Sequence, residues 1–534
     1  MPRNVHHQPA GRSANRPWVP RPGRALTIAA ALAVALRLLF LVSPGAGLRE
    51  KALLSVPDAS EYVTLARNLL DHGVFSQSQA PPFDPDVFRT PVYPLFLTPF
   101  QAVAGPAAAI MPVVLAQLFL STLLVALTME LARAIGLGGP PAALAGVLVA
   151  LSPNLAFLST KLITETLFTA LLLAALLAVA RCRAAGAARW RVFAALICGV
   201  LVLTRPIAAP FPLIAAWLCR GRSGPNPPDR GAGRAATGRF LVFLAIAAAV
   251  VLPWILRNGM ATGRYILSTA VEHNAYLYDG AAVLAAAEDI STLEAQARIR
   301  VEAQRRRPVD PPDEAHFWIG RAGVAWEVMR EHPGRTVLMR ASGAAASLGL
   351  PISLRPLLVH CGVLEDVAPG PQRTVSQDAS RALDRGRWQE SVRLIWRDRL
   401  RLLPPWGWAF LTCAILFHTL LLGGAMAALF SRTSVAHHHD GVLLGGTSAA
   451  QVSTTPPPAG EKRVADRAHE ARLDVRWLSV PILYFILAAG AAGDPRFRAP
   501  VEPILCILAA QPLARLASAA RLRFDRRIPF ARRR

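Results

Sequence analysis

The chain has 534 residues, of which 53% are hydrophobic and 17% charged. Its apolar runs approach the ~20 residues needed to cross about 30 Å of hydrocarbon, which excludes a soluble globular protein and predicts an all-α, polytopic membrane protein. The formal net charge of +24 raises nucleic acid as a partner. The basic residues, however, sit between and beside the apolar runs, as topology signals and anionic-lipid contacts do, so membrane lipids are expected as partners and nucleic acid is not.

The arm 1–24 carries Arg3, Arg12, Arg16, Arg21 and Arg24 and no acid, which places it in the cytoplasm. The run "ALTIAAALAVALRLLFLVS" then crosses outward, and without a small-residue cleavage site it is expected to stay as an anchor. Residues 44–90 form an external polar loop. "PVYPLFLTPFQAVAG" (91–105) is short and interrupted by prolines, so it reads as an interfacial helix. Spans follow near 111–132, 140–157 and 162–180, and residues 192–219 read as two short spans hinged at "LTRPIA". Another span lies near 239–256, ahead of a large external region, 257–404. Within that region 338–363 is apolar, but counting it as a span would put the arginine-dense tail outside; it is expected to be juxtamembrane or re-entrant.

Spans near 405–430, 476–493 and 500–518 complete the chain. Between the first two lies 432–475, low in complexity and expected to be a disordered cytoplasmic loop. The organisation is thus a membrane domain (25–431), C-terminal membrane helices (476–518) and a basic cytoplasmic tail (519–534). About ten spans are expected, with both termini in the cytoplasm. The six cysteines lie mostly in or beside apolar segments without CxxC spacing, which argues against a disulfide framework or a cysteine metal site.

The first external loop holds "SVPDASEYVTLARNLLDHGVFS" (55–76), with Asp58 and Glu61 three apart. D-x-x-E fits a capping box at the start of an amphipathic helix that Gly73 would stop. The alternative, that the carboxylates do chemistry, draws on the company they keep. Arg89 stands where the loop returns to the membrane. Glu165 begins a span, with Lys161 one turn earlier, and Arg205 sits at the break in "LTRPIA". Arg257 and Asn258 end a helix, and Arg496 and Arg498 occupy the turn "GDPRFRAPVEPIL". Ionisable groups at membrane depth are costly and face a polar cavity or one another. Here both signs gather at one membrane face.

In order, "PDASEYVTLARNLLDHGVFS", "RTPVYPLFL", "ITETLF", "PWILRN" with "GRYILST", "EHPGR" and "DPRFRAPVEPIL" resemble the GT-C membrane glycosyltransferases of the protein O-mannosyltransferase and lipid A aminoarabinose transferase type (family 39). The resemblance covers roughly 25–335 and 476–518. It implies a helical bundle with external loops and a sugar donor linked to polyprenyl phosphate. The acceptor would be an envelope lipid, a glycan or a protein, and transfer would take place at the external face of the inner or plasma membrane. It also implies a catalytic Asp in the first external loop, which Asp58 matches. Relatives often carry adjacent acids there; the three-residue spacing here leaves open the role of Glu61 and any divalent cation.

The chemistry fits these residues without the name. A fixed carboxylate can take an acceptor hydroxyl's proton. Arg89, Arg257, Arg496 and Arg498 can stabilise a leaving phosphate. "DPD" at 84–86 mimics a metal-diphosphate motif, but its central proline and external position argue against that use. "HHHD" (437–440) reads as solvated, and no dinucleotide or Walker motif is present. The rival readings are a transporter or lipid flippase, and a non-catalytic subunit of an envelope complex.

Overall fold

The computed structural model describes residues 22–42, 53–54, 56, 58–220, 230–306, 314–363, 382, 387–430 and 475–527. The arm up to residue 21, the loop 432–474 and the tail from 528 lie outside the described residues. Every regular element among them is helical. Chain order runs α1 (Pro22–Leu41), α2 (Asp58–His72), α3 (Val92–Ala104), α4 (Ile110–Ala134), α5 (Gly139–Leu151), α6 (Pro153–Ser159), α7 (Glu165–Ala185), α8 (Ala188–Thr204), α9 (Phe211–Leu218) and α10 (Arg230–Thr262). It continues α11 (Ala270–Asn274), a π-helical stretch (Ala275–Gly280), α12 (Ala281–Glu288), α13 (Thr292–Arg306), α14 (Glu314–Glu331), α15 (Pro333–Gly349) and α16 (Leu354–His360). The last helices are α17 (Trp388–Asp398), α18 (Pro405–Phe430), α19 (Ser479–Ala488) and α20 (Glu502–Arg527).

Among the described residues, α1, α4, α7, α10, α18 and α20 are long and apolar enough to cross a membrane. Two bent pairs, α5 with α6 (52°) and α15 with α16 (43°), bring the number to as many as eight. The sequence expectation of about ten counted two short spans in 192–219 and one in 476–493. Those segments form α8 of 17 residues, α9 of 8 and α19 of 10. At about 1.5 Å per residue none of them alone covers ~30 Å. The proline-interrupted 91–105 segment is the 13-residue α3, with Pro99 inside it.

The breaks have local causes. Pro153 removes an amide and disfavours helix at Ser152, whose hydroxyl accepts instead from the amide of Leu155 (3.1 Å). Pro351 stands in the gap between α15 and α16 in the same way. A broken helix leaves carbonyls without partners, and hydrocarbon supplies none. Buried arginines fill the role. Arg37, in α1, donates to Ala150 O at the end of α5 (3.0 Å) and to Ser121 Oγ in α4 (2.8 Å).

Three apolar clusters organise the chain. The largest is the membrane bundle, where α7 packs between α4 and α8, and α20 packs on α5 and α18. A smaller one joins the π-helical stretch with α12, α13 and α14. A third packs α2 and α3 on the start of α4 through Tyr62, Tyr93, Leu97 and Val114, and fixes the loop between α1 and α3 on the bundle.

Candidate active site

Asp58 is the first residue of α2. Ala59, Tyr62, Leu65 and Ala66 bury that helix's apolar face, so its first-turn carboxylates are held in place. The expected capping box is not what holds them. Arg89 donates through Nη2 to Asp58 Oδ1 (2.9 Å) and through Nε to Glu61 Oε2 (2.6 Å), and Arg496 donates through Nη1 to Asp58 Oδ2 (3.1 Å). Each Asp58 oxygen thus faces a guanidinium, and Arg89 bridges the two acids. Arg89 also lies over the rings of Phe88 (4.3 Å) and Tyr62 (5.0 Å). Among the described residues, the Nε and Nη2 groups of Arg496 make no hydrogen bond.

The charges set one another's protonation. Burial pushes the Asp58 carboxyl up, but Arg89 and then Arg496 outweigh it and hold Asp58 well below the usual carboxylate range. Burial pushes Glu61 up, with Arg89 opposing. The two acids are therefore unequal: Asp58 is the firmly ionised member.

Glu165 and Arg205 form a second pair, 2.8 Å apart and nearly buried, where the α8–α9 break brings Arg205 over the start of α7. Arg205 and Arg496 share the ring of Phe497, at 5.9 and 5.0 Å, and the Arg205 charge reaches Asp58. Asp58, Glu61, Arg89, Arg205, Glu165 and Arg496 therefore make one electrostatic cluster.

The other expected site residues lie elsewhere. Arg257 donates to Asp86 O (2.6 Å) and Phe75 O (3.0 Å) and so clamps the first loop to the end of α10; Asn258 accepts from Arg257 Nη1 (3.0 Å) and donates to Ile266 O (3.0 Å), just past that helix. Arg498 is buried in the bundle. It donates to the carbonyls of Ser347 (2.9 Å), Leu350 (2.5 Å) and Pro351 (2.9 Å) at the α15–α16 break, and to Glu502 (3.2 Å). Glu502 also accepts from Ser152 Oγ and from Asn154 Nδ2 (2.8 Å), so the pair ties together both broken helices. Lys161 is buried beneath the Phe157 ring, with Nζ 3.1 Å from His360 Nδ1.

Two features escape a sequence reading. Asp86, set aside with "DPD" as a metal mimic, accepts through Oδ1 from the amides of Phe88 (3.1 Å) and Arg89 (2.8 Å), and this turn aims Arg89. The Asp-before-turn pattern was the available signal. Gly343 of α15 lies so close to Gly490 that a Cβ there would strike the Gly490 carbonyl. That approach seats the 490–498 turn carrying Arg496, and nothing local marks it.

The donor set speaks against a divalent ion between the acids, because Arg89 occupies the bridging position. Among the described residues no three His, Cys, Asp or Glu side chains come together as a metal site.

No protein-family model matches the chain. No curated protein matches it. Among solved structures it is similar to the archaeal oligosaccharyltransferase AglB from Archaeoglobus fulgidus in complex with an inhibitory peptide and a dolichol-phosphate. Identity there is 13%, over 96% of this chain and 52% of that one, with a TM-score of 0.44. It is also similar to ArnT from Cupriavidus metallidurans bound to undecaprenyl phosphate, at 14% identity over 93% of this chain and 79% of that one, with a TM-score of 0.37. The chain spans about half the length of the archaeal protein. Similarity at this level bears on neither the site nor the reaction, which rest on the residues described above.

Proposed function

We propose that the chain is a GT-C-type membrane glycosyltransferase that moves a sugar from polyprenyl phosphate to a hydroxyl of an envelope lipid, a glycan or a protein on the external face. The observation that carries the reading is Asp58 held between Arg89 and Arg496, with N–H groups of Arg496 left over beside it. A carboxylate base and unsatisfied guanidinium donors at one point are what such a transfer needs. The acceptor oxygen attacks the anomeric carbon, Asp58 takes the hydroxyl proton, and the bond from that carbon to the phosphate oxygen breaks. Its electron pair leaves on polyprenyl phosphate, whose growing charge Arg496 and Arg89 stabilise.

The same arginines make Asp58 a weak base until the donor arrives. When a phosphate draws on their charge, the hold on Asp58 relaxes and its basicity rises. The donor then binds before the acceptor is activated. Arg257, Asn258 and Asp86 support this by fixing the loop, and Glu165 with Arg205 sets the field behind Asp58. Arg498 and Lys161 belong to the bundle's own polar networks.

Broken helices and buried charges are also transporter features. In this chain Arg37 and Arg498 instead serve helix carbonyls, which favours the transferase. The experiment is turnover of labelled polyprenyl-phosphate sugars, across a panel of sugars, by purified protein. Release of polyprenyl phosphate with label in an acceptor supports the reading. Movement of intact donor across a bilayer would mark a flippase, and binding without turnover a non-catalytic subunit.

A further inference from the structure

Helix α17 wears its side chains the wrong way round for a helix in water. Trp388, Val392 and Trp396 stand at i, i+4 and i+8, one above another on one face. They are 60%, 58% and 51% exposed, while Ser391, on the flank of the helix about 60° round from Trp388, is buried. A helix packed on a soluble core would turn the tryptophans inward and the serine out.

The position of the helix says what it faces. Six residues (399–404) separate it from the span-length α18, and the ring of Trp396 lies 5.8 Å from that of Trp408, in the first turn of α18. The stripe therefore lies at the level where a span enters hydrocarbon, the depth that tryptophan favours. A groove of about 500 Å³ runs along the helix, lined by Arg387, Trp388, Glu390, Arg393 and Arg397 among others. Arg387 is paired with Glu390 (2.9 Å) and secures the start of the helix. Arg393 borders the apolar stripe, and Arg397 follows one turn on, toward the face opposite Trp388. An apolar, tryptophan-bearing face edged by arginines is the pattern of a helix lying in the plane of an anionic membrane.

We propose that α17 lies in the bilayer interface, with Trp388, Val392 and Trp396 in the acyl–headgroup boundary, and that the Arg393–Arg397 groove holds the phosphate headgroup of an anionic phospholipid. The helix would then anchor the 257–404 region to the membrane at a fixed depth. The site is separate from the Asp58 cluster, and its test needs no sugar transfer, so it stands or fails independently of the reaction.

The test uses the full chain in nanodiscs, with Cys413→Ser to remove the exposed thiol and Val392→Cys carrying a fluorophore. The expected result is quenching by lipids with a spin label near the headgroup and protection from aqueous iodide. Spin-labelled phosphatidylglycerol should quench more strongly than equally labelled phosphatidylcholine at the same mole fraction. Each basic residue should contribute roughly fivefold to that preference, the factor that about 1 kcal/mol gives. Arg393→Gln with Arg397→Gln should abolish the preference and keep the depth. A label open to iodide and silent to spin-labelled lipid would place the face in water and overturn the proposal. Equal quenching by both lipids in the protein with its arginines intact would overturn the headgroup site.

Discussion

Replacing Asp58 by Asn separates the base from everything else the residue does. The amide is nearly isosteric, so α2 keeps its packing through Tyr62 and Ala66. One oxygen can still accept from an arginine, but the NH2 group then faces the N–H groups of the other guanidinium. One charge-assisted bond is lost, at about 1.5–3 kcal/mol for a fully buried pair. The Asp58 side chain is 28% exposed, so solvent screening pulls the effect toward or below the lower figure. The protein should therefore fold, with a modestly lower melting temperature.

Turnover should fall by roughly 100- to 10,000-fold, because an amide cannot take the acceptor's proton. The assay is release of polyprenyl phosphate from labelled donor, normalised to folded protein by thermal melt, with donor binding measured separately. Glu61→Gln is the matched control, since it also faces Arg89 and loses one charge. It should retain most activity. Wild-type turnover by the Asp58→Asn protein, with donor binding intact, would refute the assignment and move the search for a base to Glu61 or Glu165.

Arg496→Gln should raise the donor KM about tenfold by removing a phosphate contact. It also takes a cation away from Asp58, whose carboxyl then titrates higher, so the acid limb of kcat/KM should move to higher pH; an unmoved limb would separate Arg496 from Asp58. Arg498→Ala should lower stability by about 3–5 kcal/mol, read as lost thermal stability in detergent, because it strands Glu502 and the carbonyls at the α15–α16 break. Arg498→Lys should rescue it poorly, since a single ammonium cannot replace a planar fork across those carbonyls. Ala80→Cys, on an exposed stretch of the first loop, should react with an impermeant external thiol reagent in intact cells. Protection there would put the acid cluster on the other side of the membrane.

What the sequence made legible is what depends on neighbours along the chain. The apolar runs give α1, α4, α7, α10, α18 and α20 because hydrocarbon demands length and composition together. Asp58 and Glu61 stand out because polar acids after an apolar run have no use for it, and Arg89 because it marks the loop's return. D-x-x-E reads locally as a capping box, but Arg89, 28 and 31 residues away, competes better for both carboxylates than the helix amides do. The count of spans was less legible, since Pro153, Arg205 and Pro351 divide apolar sequence into pieces whose angles hydropathy does not record.

The arginines divide into two kinds, and the division follows from where their acceptors come from. Arg498 and Arg37 meet backbone carbonyls at helix breaks, 147–151 and 113 residues distant. Such carbonyls carry no side-chain signature, so no pattern near Arg498 could tell it from Arg496 two positions earlier. Arg496 differs in what it meets: it reaches a side chain, Asp58 Oδ2 (3.1 Å), from a turn that packs on α15 through the Gly343–Gly490 approach. Gly343→Ala sets that seat against the site directly. A methyl group there meets backbone, which cannot yield as a flexible side chain would, so the 490–498 turn must shift, at about 1–3 kcal/mol. If the turn positions Arg496, the variant should reproduce the Arg496→Gln phenotype at a site that touches no substrate: a raised donor KM and an acid limb moved upward. If it loses stability but keeps the parental pH profile, Arg496 holds its place by other means.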